Sequence, residues 1–100
     1  MARTAFEMDN QIKVRKPKVY AVIMHNDDYT AMDFVVEILV KIFHKAQVEA
    51  SEIMMSIHEK GKGVAGIYTY DIAMTKKLQT ETFANEKGYP LKITLDETIE

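Results

Sequence analysis

A chain of 100 residues, 47% hydrophobic and 28% charged, is long enough to bury one core and too short for two, which excludes a multidomain enzyme or a large α/β barrel. A formal net charge of -2 gives no electrostatic basis for general nucleic-acid binding, and the absence of cysteine excludes disulfides, thiolate metal sites and a cysteine nucleophile. No apolar run approaches the roughly 20 residues of a membrane helix, and MARTAFEMDN lacks the apolar centre of a signal peptide, so no membrane association and a cytoplasmic location are expected.

The charge is unevenly spread. Residues 1–18 hold five basic side chains (Arg3, Lys13, Arg15, Lys16, Lys18) against Glu7 and Asp9, a local charge of +3, and the remaining eight basic against thirteen acidic side chains give -5. The opening stretch has no apolar rhythm and closes on Lys16-Pro17-Lys18, so residues 1–17 read as a flexible N-terminal arm ahead of a core domain, residues 18–100. The β-forming run Val19 to Met24 reads as a strand, either covered on both faces or covered on one and partly wet on the other. It stops at the turn-forming cluster His25-Asn26-Asp27-Asp28.

Thr30 stands three residues before Asp33, a capping-box spacing, and Phe34, Val35, Ile38, Leu39, Ile42 and Phe43 follow at helical intervals. A second helix is predicted from about Val48 to Lys60 on the stripe Ala50, Ile53, Met54 and Ile57, with His58 in its last turn and Gly61 as a left-handed terminator. The segment after it reads as a loop at 61–63 and a strand over Val64 to Tyr68. Thr69 is placed to cap a third helix running to about Asn85, with Gly88 just beyond its end. Last, Leu91, Ile93 and Leu95 alternate with Lys92 and Thr94 as a half-buried strand. The order β-α-α-β-α-β predicts an α+β fold, a three-stranded antiparallel sheet packed on three helices.

The chemically informative residues are His25-Asn26-Asp27-Asp28-Tyr29-Thr30, after the first strand, and His58 at a helix end. Amide oxygen, carboxylate and neutral imidazole are all acceptors, so together they suit a cation with several donors, and an ammonium offers three. Met32, Val35, Met54 and Ile57 lie within a turn or two of these groups and can line an apolar slot beside them. Each feature also has an ordinary reading: the Asn-Asp-Asp run as turn and helix cap, His58 as a partner of the helix dipole, the methionines as core filler. An enzyme with His58 as general base lacks an evident nucleophile or phosphate loop. A metal site from His25, His58 and the two aspartates has no diagnostic spacing. A third alternative is a protein-interaction module like the small α+β domains of the ribosomal stalk, without amine recognition.

The string VIMHNDDYTAMDFV (residues 22–35), followed by IMMSIH (53–58), GVAGIYT (63–69), AMTK (73–76) and YPL (89–91), resembles the ClpS family of adaptors of the ATP-dependent Clp protease, over residues 18–97. That resemblance implies a non-enzymatic, monomeric adaptor that needs no cofactor or metal. It implies recognition of substrates with N-terminal Phe, Tyr, Trp or Leu, and their delivery to the ClpA-type AAA+ unfoldase of the ClpAP protease. Carried over by position, the substrate's α-amine would meet Asn26, Asp28 and His58. Its side chain would enter a pocket of Thr30, Met32, Val35, Met54, Ile57 and Leu91. Asp71, Thr75 and Lys76 would dock on the unfoldase's N-terminal domain, and the arm before Pro17 would engage the unfoldase during delivery. Three positions depart from the family's usual pattern: Ala31 stands for Pro, Ala65 for Cys, and Met74 for a charged residue.

Overall fold

The computed structural model describes residues 17–99, so the predicted arm, apart from Pro17, lies outside the described residues. The elements are β1 (Lys18–His25), α1 (Met32–Lys41), α2 (Gln47–Lys60), β2 (Lys62–Tyr68), α3 (Tyr70–Lys87) and β3 (Lys92–Ile99), the predicted order. The sheet runs β2-β1-β3 with both pairings antiparallel, so the first strand in sequence is the central one.

That position explains why β1 is apolar throughout. Val22 and Met24 are fully buried and belong to the cluster formed with residues of all three helices, among them Phe34, Ile38, Ala50, Ile57, Ala73 and Ala84. Val19, Ala21 and Ile23, which alternate with them, are also buried but lie outside that cluster, and their β2 partners Ile67 and Val64 are exposed. The helices therefore cover one face, and β1 is shielded on the other by its two neighbours, the second of the two coverings the sequence allows. A register shift between Val22 and Ile23 leaves Ala65 as an extra residue opposite them, a bulge that turns this end of β2 toward α2.

The helix ends follow their glycines. Gly61 ends α2 at φ 92° and Gly88 ends α3 at φ 79°, both left-handed, where a side chain would be strained. Lys62 and Gly63, read from sequence as loop, extend β2 because they pair with His25 and Met24. The third helix reaches Lys87, two residues beyond its predicted end, carried by the glycine cap. Thr69 does occupy its N-cap, but without a side-chain hydrogen bond. Phe34 packs on Phe83 and Tyr89 with ring centroids 5.3 and 4.8 Å away, which ties α1 to α3 and to the turn after it.

One local expectation fails. The N-cap of α1 is Ala31, not Thr30, and no side chain caps it. Thr30 stands one residue earlier, held in the turn before the helix by its N–H and its hydroxyl, which both donate to the Asp27 carboxylate at 2.7 Å.

Candidate functional site

Two connections assemble the site. The Asn26 N–H donates to the Gly61 carbonyl (2.9 Å), and the Gly61 N–H donates to the Ile57 carbonyl (2.9 Å), so the loop after β1 is fastened to the last turn of α2. The left-handed Gly61 turns its carbonyl out of the helix for this purpose. The second connection is internal to the loop: Asp27 accepts from the Tyr29 N–H (2.8 Å), the Thr30 N–H (2.7 Å) and the Thr30 hydroxyl. Its carboxylate fixes the path by which the chain leaves β1 and enters α1.

Between these elements lies a small concavity, partly open to solvent, whose enclosed free space is about 20 Å³. Met24, Val35, Ile57 and Leu91 are its buried wall, Met32 and Met54 stand nearer the surface, and Asn26, Asp27, Thr30 and His58 supply its polar edge. Met32 is 42% exposed and so sits at the mouth. All six residues predicted for an apolar pocket line this one space, as do Asn26 and His58 of the three predicted for an amine. Asp28 does not line it: it is exposed, one residue farther out along the loop.

Met24 is a lining residue that the sequence reading did not assign to the site, and Asp27, read there only as one of the acceptors after the first strand, lines it too. Strand alternation puts Met24 on the helix-facing side with Val22, but which residue ends under the slot depends on where the helices cross. Asp27 carried a local signal, an acidic residue followed by Thr at three residues, the spacing of a side chain that satisfies turn amides. Burial pushes the Asp27 carboxyl up, but the hydrogen bonds from the Thr30 hydroxyl and from the Thr30 and Tyr29 amides outweigh it and hold the group below the ordinary carboxylate value. The slot therefore has a fixed negative charge at its edge at neutral pH.

His25 also borders the slot, but its Nε2 lies 2.8 Å from Thr94 Oγ1, so the ring is engaged on β3 and does not join His58. Among the described residues no group of three or more His, Asp or Glu is placed to hold a metal ion, and no helix is long and apolar enough to cross a membrane. The site can thus accept hydrogen bonds from a cation and enclose an apolar group beside it.

Asp71, Thr75 and Lys76 meet elsewhere, on a shallow surface concavity at the start of α3 bordered by Ile42, His44 and Ile72. Asp71 and Thr75 are exposed. Lys76 is half-buried: its Nζ donates to the Ile42 carbonyl (2.6 Å) and lies 5.8 and 5.4 Å from the Phe43 and Tyr68 ring centroids. It ties the end of α1 to α3 and β2.

Comparison with known proteins identifies the family. The ATP-dependent Clp protease adapter protein ClpS of Syntrophus aciditrophicus is 54% identical over 85 residues, which is 85% of this chain and 79% of the relative. The protein of the same name from Lawsonia intracellularis is 53% identical over 90 residues, 90% of this chain and 83% of its own. Among solved structures, Agrobacterium tumefaciens ClpS2 bound to L-phenylalaninamide superposes with a TM-score of 0.79 at 34% identity, over 83% of this chain and 100% of that one. The family described as ATP-dependent Clp protease adaptor protein ClpS matches residues 15–94, from before β1 into β3. An acceptor-edged apolar slot suits a binding protein, and the chain belongs to the ClpS family of Clp protease adaptors.

Proposed function

We propose that the chain captures proteins by a free N-terminal Phe, Tyr, Trp or Leu and delivers them, as a monomer in the cytoplasm, to a ClpA-type AAA+ unfoldase. The observation that carries this reading is the single space shared by Asn26, His58 and the apolar wall Met24, Val35, Ile57 and Leu91. The ligand of the related Agrobacterium protein, L-phenylalaninamide, has a free amine and an amide where a chain would continue, the chemistry of a polypeptide's first residue. In this reading the substrate's side chain fills the slot. Its ammonium donates to the Asn26 side-chain oxygen and to His58, with Asp28 reached through water and the Asp27 charge nearby. Asp71 and Thr75 meet the unfoldase's N-terminal domain, Lys76 holds that surface in shape, and the arm before Pro17 engages the unfoldase during delivery.

Burial of a Phe or Leu side chain contributes roughly 1.5–3 kcal/mol and each hydrogen bond to a charged group about 1.5–3 kcal/mol, against at least about 4 kcal/mol lost on association. Both parts are therefore required. An internal Phe offers one amide donor and no charge, so only a chain start qualifies. The test compares peptides beginning with Phe, free and acetylated. Acetylation is expected to weaken binding by at least about tenfold for each charged contact removed. Equal affinities would refute the proposal.

A further inference from the structure

Gly63 is absent from the slot's lining, yet it stands directly behind one wall. It pairs across the sheet with Met24, which is in the lining. Its backbone is not left-handed, since among the described residues only Gly61, Gly88 and His44 have positive φ. Glycine is therefore not required there by conformation. It is required by space: a Cβ at position 63 would lie 2.8 Å from Ile57 Cγ1, 3.7 Å from its Cδ1 and 3.9 Å from its Cβ.

Ile57 cannot yield easily. It is 3% exposed, and a β-branched side chain on a helix has one strongly preferred χ1 setting. The crowded atom is bonded directly to Cβ and is not a flexible tip. Ile57 both faces Gly63 and lines the slot beside Met24, Gly63's partner on β1, so any displacement of Ile57 by a side chain at position 63 alters the slot's wall.

We propose that Gly63 is a positioning residue that determines specificity: by leaving room for Ile57 against β2, it keeps the slot wide enough for the largest aromatic side chains. This rests on the proposed function, and deepens it by locating part of the size selection outside the pocket. The experiment measures affinities of Trp-, Phe- and Leu-starting peptides, together with acetylated Phe peptide, for the unsubstituted chain, Gly63→Ala, Ile57→Val and the double variant.

Gly63→Ala is expected to lower affinity for Trp relative to Leu by at least about tenfold, the usual discrimination for one misplaced methyl-sized group in an apolar pocket. The double variant keeps the crowded Cγ carbon, so residue 57 is still displaced, but it lacks the Cδ1 methyl that the displacement pushes along the slot wall, and it should recover much of that ratio. An unchanged Trp-to-Leu ratio in Gly63→Ala, a shift toward Trp, or a shift that Ile57→Val does not reverse would overturn the inference. If Gly63→Ala does not fold, the Ile57→Val and double variants differ by the same methyl, and the ratio must fall between them. If the unsubstituted chain binds free and acetylated Phe peptides alike, the proposed function itself fails and this inference with it. Failure of the inference alone leaves that discrimination intact.

Discussion

Asp27→Ala tests the loop that joins sheet, slot and helix. The substitution removes three hydrogen bonds of 2.7–2.8 Å to one carboxylate, from the Tyr29 amide, the Thr30 amide and the Thr30 hydroxyl. Hydrogen bonds to a charged group contribute about 1.5–3 kcal/mol each when shielded. Tyr29 is 78% exposed and its amide regains water, so the net loss is about 2–3 kcal/mol, nearly all from the Thr30 contacts. The pH dependence identifies the source. Because these bonds hold the Asp27 carboxyl below its ordinary value, the unfolded chain binds more protons than the folded one over the interval between, and stability rises with pH there. The stability gap between the unsubstituted chain and Asp27→Ala should thus be full well above the ordinary aspartate value of about 3.9 and narrow as pH falls through the lower, folded-state value. Urea unfolding of both proteins at a series of pH values from 7 downward reads this gap. A gap that persists unchanged into the acid range, or no gap at pH 7, would refute the role given to the carboxylate. Peptide affinity should fall alongside stability, since Asn26 and Thr30 lose their fixed positions.

Met32, at the mouth of the slot, is expected to exclude side chains branched at Cβ, so Met32→Ala should admit peptides beginning with Ile or Val, measured by the same binding assay. The Thr80 hydroxyl is fully buried and has no hydrogen-bond partner among the described residues, so Thr80→Val should stabilise the chain by about 1 kcal/mol in urea unfolding; a loss would mean that the hydroxyl is satisfied. Lys76→Ala should cost about 1–2 kcal/mol through its bond to the Ile42 carbonyl, whereas Asp71→Ala, exposed in the first turn of α3, should cost no more than about 0.5 kcal/mol while weakening unfoldase binding. Equal stability of the two variants would show that Lys76 is not a structural tie.

What the sequence determined by itself was whatever depends on near neighbours along the chain. The order of elements, the apolar faces of α1 and α2 and the ends of α2 and α3 at Gly61 and Gly88 all follow from helical spacing and from the conformations glycine permits. The family's residues were legible for the same reason, as contiguous strings. That Ala31 rather than Thr30 caps the helix was not, because either residue fits the spacing and only the path of the loop, set by Asp27, places Thr30 in the turn before it. Tertiary structure alone decided that β1 is central, that Asn26 reaches Gly61 across 35 positions, that Met24 lies under the slot, and that Gly63 stands behind Ile57. These are contacts between elements, set by how strands pair and helices cross. They are the contacts that place a charge-accepting edge beside an apolar hole.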